Sequence, residues 1–192
     1  MTRLLPFVAA TLLLAAAGCD LFRTRDPQPP TQGSSNFETP TTYDKVLRNL
    51  VFSVSDKNLN NYMSCFVDTT FRPYYFQAAA DAQRSYPDVM NQWNLEGEQR
   101  YFTNLKEATS GIPSLTIPDS PPIFVSSDSV IYSVDYTLFF PHNRIGIPQI
   151  VRGTMRLSLA TDGKRWAITQ WHDSKTTTDS TWSYLKAVFW GS

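Results

Sequence analysis

The chain is 192 residues long and carries 17 basic and 17 acidic side chains, so its formal net charge is zero. That balance leaves no basic stripe for nucleic acid and no polybasic run to hold anionic lipid. The length provides one domain with a real core once a leading segment and a linker are set aside.

Arg3 and the initiator amine give a short positive end, followed by an apolar stretch from Leu4 to Ala17. A membrane-crossing helix needs about 20 apolar residues, so this shorter run reads as an export signal. It closes on Ala16-Ala17-Gly18-Cys19, where small residues let a peptidase approach the backbone. The stretch resembles the lipobox of bacterial lipoproteins, with Ala16 where that family prefers leucine. The resemblance implies that residues 1–18 are removed, that the Cys19 thiol takes diacylglycerol and that the new amine is acylated. Each buried methylene then contributes about 0.8 kcal/mol, so several acyl chains hold the protein on a bacterial membrane without a spanning helix. The expected location is the cell envelope, facing away from the cytoplasm. Asp20 leaves the choice between inner and outer membrane open.

Residues 19–40 contain Pro27, Pro29, Pro30, Gly33, Ser34, Ser35 and Pro40, with Leu21, Phe22 and Phe37 as the apolar exceptions. Such a composition cannot bury enough surface to offset the entropy of ordering. It reads as a tether spanning on the order of 25 Å. Removing the signal takes only Arg3 from the 17 basic residues, so 16 remain against 17 acidic ones, and lipid rather than charge must anchor the chain.

The folded domain is expected over 41–192. Thr41 with Asp44 fits a capping box, and Tyr43, Val46, Leu47, Leu50, Val51 and Val54 recur at helical spacing. Ser55-Asp56-Lys57-Asn58 breaks that helix, and Leu59, Tyr62, Met63 and Phe66 predict a second, making a hairpin. Cys65, left without a disulfide partner once Cys19 is lipidated, reads as a buried inert thiol. Gln77 to Gln83 predicts a helical turn. Asn94 to Ala108 predicts a third full helix, with Leu95, Glu98, Phe102 and Leu105 on one side.

Past Gly111 the period changes from helical to alternating. Strands are predicted over 112–117, 121–125, 130–140, 149–159 and 165–174, with Thr161-Asp162-Gly163-Lys164 as a hairpin turn. The inward sets are Val130, Tyr132, Val134, Tyr136, Leu138 and Phe140; then Val151, Met155, Leu157 and Leu159; then Trp166, Ile168, Gln170 and His172. Asp135 falls on the outer face, within reach of Arg152 or Arg156. His142 lies in an exposed turn. Trp182, Leu185 and Phe189 recur at helical spacing near the end of the sequence, either packing back on the domain or forming a docking segment.

Three helices followed by an antiparallel meander is an α+β pattern. The hairpin ending in Met63-Ser64-Cys65-Phe66-Val67-Asp68, the helix around Trp93 to Leu105 and the closing run Arg165-Trp166-Ala167-Ile168-Thr169-Gln170-Trp171-His172-Asp173 together resemble the nuclear transport factor 2-like superfamily, which includes ketosteroid isomerases and polyketide cyclases. The resemblance covers roughly Thr41 to Asp173. It implies a cone, in which a strongly curved antiparallel sheet wraps around three N-terminal helices and a pocket opens at one end. It also implies that a homodimer through the outer sheet face is available. Trp182 to Ala187 further resembles the end of envelope lipoproteins of this type.

Enzymes of that superfamily use an interior carboxylate, and the predicted inward strand faces hold none. Glu98 is the one carboxylate on the apolar side of a predicted helix, read as solvated at the stripe's edge. The candidate pocket is Tyr132, Tyr136, Trp166, Gln170, His172 and Glu98. Two separated histidines without a cysteine pair give no metal site, and no motif implies a cofactor. The expected role is binding of a small apolar ligand or an envelope protein partner without catalysis. The alternative is an isomerase or cyclase using His172 or Glu98 as base, with Tyr132 or Tyr136 as donor.

Overall fold

The computed structural model describes residues 36–176 and 178–191; the expected signal and Cys19 lie outside them. Helix α1 (Tyr43–Ser55) buries Val46, Leu50 and Val54, the four-residue rhythm of one helical face. The expected capping box does not form. Thr42 takes the N-cap without a side-chain bond, and the Thr41 hydroxyl accepts from Lys45 at 3.2 Å instead. The chain entering α1 is held by Asn49, whose amide donates to Glu38 O at 2.7 Å and accepts from Glu38 N at 3.0 Å. Lys57, at φ 51°, turns the chain into α2 (Leu59–Met63), which Asn58 caps by accepting from Asn61 N at 3.1 Å.

The next stretch holds strand β1 (Tyr75–Gln77) and the short helices α3 (Ala80–Ser85) and α4 (Pro87–Met90). Helix α5 (Leu95–Ala108) follows, its Asn94 cap accepting from Gly97 N at 3.0 Å. Then come β2 (Ser114–Thr116), β3 (Phe124–Val125), β4 (Ser129–Phe139), β5 (Ile150–Thr161), β6 (Trp166–Ser174) and a final helix α6 (Trp182–Trp190). The sheet order is β1-β6-β5-β4-β2, with β3 also on β4. All pairings are antiparallel except β1 on β6. Among the described residues no helix is long and apolar enough to cross a membrane.

The inward faces of β4 and β5 are as the alternation predicts, and all the named residues are buried. β6 departs from it. Ser158 pairs with Gln170 and Leu159 with Ile168, so Thr169 is an extra residue, a β-bulge. The bulge reverses the facing of everything after it. Trp171 and Asp173 turn inward and are buried, whereas Gln170 is exposed and His172 lies beside the exposed Arg156 on the outer face. On that face Asp135 accepts from the Thr154 hydroxyl at 2.5 Å, while Arg152 pairs with Asp179 at 2.7 Å, so the anticipated Asp135–arginine pair does not form.

Helices α1, α2, α5 and α6 fill the concave side. Tyr62 stacks on Phe102 at 4.1 Å between centroids, and Trp171 meets Trp182 edge-on at 4.7 Å. Cys65 is buried, its thiol donating to Asn61 O at 3.3 Å, and burial pushes its pKa up, which makes it the inert thiol expected. His142, expected in an exposed turn, is instead buried against Phe189 at 5.2 Å, because the last helix covers that turn.

Candidate functional site

The centre of the cone is an ion pair. Glu98 projects from α5 and Lys186 from α6; both side chains are fully buried and bonded to each other through Glu98 Oε1. Three further donors hold the carboxylate: Tyr62 Oη on Oε2 at 2.7 Å, and Tyr74 Oη and Trp93 Nε1 on Oε1 at 2.7 and 2.8 Å. The ammonium lies 3.9 Å from the Trp171 ring centroid and 4.0 Å from that of Phe76, inside cation–π range. Burial lowers the Lys186 pKa, and Glu98 opposes that shift. Tyr62 and Tyr74 are raised, first by burial and then by the Glu98 charge, so both remain donors. Glu98 is therefore no solvated edge residue. A charge this deep persists only because it is paired and hydrogen-bonded on all sides.

Helix α6 is seated by the sheet. Tyr136 Oη accepts from Trp182 N at 2.6 Å and donates to Asp173 Oδ1 at 2.9 Å. Asp173 Oδ2 accepts from Ser183 N at 2.7 Å and from Ser183 Oγ at 2.5 Å. Thus two strand residues supply the N-terminal cap that Thr181 does not, and a carboxylate meets the positive end of the helix. Burial raises the Asp173 pKa against these bonds.

The six residues expected to line one pocket are not brought together. Glu98 is sealed under α6, and Tyr136 is spent on capping that helix. Gln170 and His172 lie across the sheet on the outer face. Tyr132 and Trp166 do converge, both against Tyr43, at 6.1 and 5.6 Å between centroids. The sequence reading missed Lys186, Asp173, Tyr62, Tyr74 and Trp93. One signal was available: Lys186 is the only charged residue of a nine-residue helix that is otherwise largely apolar, so it needed a partner.

Neither Glu98 nor Lys186 lines any of five concavities of the described surface. One of these, about 360 Å³, opens between α1 and β4 under the 117–120 loop. Its floor is Leu47, Val51, Phe52, Ile117, Pro118 and Val134 with the Tyr132 ring; its rim is Asp44, Arg48, Asp119 and Ser120. A second, of about 590 Å³, borders Asp173 beside an Asp81–Lys175 pair at 3.0 Å. No group of three or more metal-ligating side chains occurs among the described residues.

A solved structure from Novosphingobium aromaticivorans, provisionally described as an aromatic ring hydroxylase, is similar at TM-score 0.57 and 12% identity, over 74% of this chain and 92% of that one. A second from that organism, provisionally described as a scytalone dehydratase, gives 0.51 and 10%, over 71% and 83%. The architecture, an α+β cone with helices on the concave side of a curved sheet, is the fold these two structures share. A nuclear transport factor 2-like superfamily protein from Salmonella enterica is 15% identical over 70% of this chain and 89% of its own, at TM-score 0.49. Identities this low speak to fold alone. No protein-family model and no curated protein matches the sequence.

Proposed function

We propose that this is a lipid-anchored protein of the bacterial cell envelope whose cone domain binds a small apolar ligand in the groove between α1 and β4, without catalysis. The groove itself carries the reading. Its 360 Å³ falls in the range of about 300–1,000 Å³ usual for ligand sites, and its floor is apolar with a few polar groups at the rim. An interior carboxylate of the kind a cyclase or isomerase needs is present as Glu98, but it is fully buried and paired with Lys186. The enzymatic alternative, which the hydroxylase and dehydratase descriptions of the similar structures prompt, requires α6 to leave. A partner protein or a second copy on the outer sheet face is the remaining route to function.

Two measurements test this. Native mass spectrometry of the purified protein should show a small apolar molecule retained by the wild type and lost from Val51→Trp, which fills the groove. Equal retention by both proteins, or none by either, removes the groove reading. Separately, Cys19→Ala should move the protein out of the membrane fraction; a variant still fully membrane-bound removes the anchor.

A further inference from the structure

Strand β3 overhangs the domain. Successive side chains of a strand point to opposite faces, so a strand lying over a core buries every second one. Ile123, Phe124 and Val125 are instead all about half exposed, and β3 pairs with β4 alone among the described residues. An apolar ribbon with a free edge invites association unless something covers it.

Its neighbours identify the cover. Val125 faces Val130, which faces Leu159; next along β5, Ala160 borders the half-exposed Phe71. These apolar side chains therefore share the rim at the β5–β6 turn. The chain enters the domain at this rim: Pro40 O accepts from Trp166 N at 2.8 Å, and Tyr43 begins α1 against the Trp166 ring at 5.6 Å between centroids. Glu38, bonded to Asn49, lies only about 9 Å along α1. The opposite rim, with exposed Ile112, Ile145 and Ile150, is ten residues down the β4–β5 ladder, about 33 Å away. A tether spanning on the order of 25 Å from Cys19 favours the first rim over the second as the lipid-facing one.

We infer that the β5–β6 rim rests on the lipid surface, with Phe71, Ile123, Phe124 and Val125 entering the boundary between headgroups and acyl chains. This rests on Cys19 being the anchor. On the same rim Arg72, Lys164 and Arg165 are offset by Asp68, Asp128 and Asp162, so apolar contact rather than attraction to anionic lipid holds the rim down.

The test labels the full-length lipidated protein with a thiol-reactive nitrobenzoxadiazole dye at Phe124→Cys, at Phe71→Cys and, on the opposite rim, at Ile145→Cys. Cys65 is buried, so the wild type treated alike is the blank. Each protein is reconstituted into phosphatidylethanolamine–phosphatidylglycerol vesicles with and without doxyl-labelled lipid. Labels replacing Phe124 and Phe71 should shift to the blue and lose most of their emission to doxyl lipid, at low and high salt alike. The label replacing Ile145 should do neither. Blue-shifted labels that doxyl lipid does not quench mean that a protein, such as a second copy, covers β3, and the inference fails. Equal quenching on both rims, quenching of the Ile145 position alone, or none, in protein that still floats with the vesicles, also overturns it and leaves the anchor intact. Protein that does not float removes the anchor and the inference with it. All three replaced side chains are exposed, so the variants should melt with the wild type.

Discussion

The Tyr136 hydroxyl stands between the sheet and the last helix, accepting from Trp182 N at 2.6 Å while donating to Asp173 at 2.9 Å. Two buried groups therefore depend on one oxygen. Tyr136→Phe should leave the Trp182 amide without an acceptor and Asp173 without one of its donors, at about 1–3 kcal/mol for each group left unsatisfied. Tyr132→Phe, on the same strand face beyond Val134, should change stability by less than about 0.5 kcal/mol. Urea denaturation of the two variants checks the contrast.

The Glu98–Lys186 pair should behave as a unit. Lys186→Met leaves a buried carboxylate without its counter-charge and should cost about 3–5 kcal/mol. Glu98→Gln should cost a similar amount, because it strands the ammonium. The double variant removes both charges and keeps an amide oxygen to accept from Tyr74 and Trp93, so it should be more stable than the sum of the single losses predicts. A double-mutant cycle from denaturation curves measures that coupling. Strict additivity would mean the two side chains do not interact.

His172 gives a pH dependence of definite sign. Burial, and then the neighbouring Arg156 charge, lower its pKa, so below the ordinary value of 6.5 the unfolded chain binds more protons than the folded one. Its contribution is fully present above that pH and is lost as pH falls toward the folded pKa. The wild type should therefore lose melting temperature relative to His172→Gln between pH 7.5 and 5. A pH-independent difference between the two proteins contradicts this.

The long strands were legible because alternating residues on a half-buried ribbon leave a period of two, which β4 keeps for 11 residues and β5 keeps as far as Leu159. β6 does not. Its apolar residues shift from even to odd positions between Ile168 and Trp171, a parity change visible in the sequence that marks the bulge at Thr169. Overlooking it turned Gln170 and His172 inward and hid Asp173. β1, at three residues, is too short to show any period. The ion pair was illegible for another reason: its partners lie 88 residues apart, and only the fold brings α5 and α6 together.

Gly153 lies opposite Tyr136 in the β4–β5 ladder, and the phenol crosses over it to reach Asp173 on β6. A Cβ there would lie 2.6 Å from Ser174 O and 2.8 Å from Tyr136 Oη. The first contact is with backbone of a paired strand, which cannot swing away, so the phenol must yield. Gly153→Ala should therefore cost about 1–3 kcal/mol, as overpacking does. Its loss should also reach the distant helix, because a displaced Tyr136 no longer accepts from Trp182 N. Hydrogen exchange should show the Trp182 and Ser183 amides losing more protection than amides at the centre of α5. Uniform loss across the domain would instead make the glycine a packing position with no special link to α6.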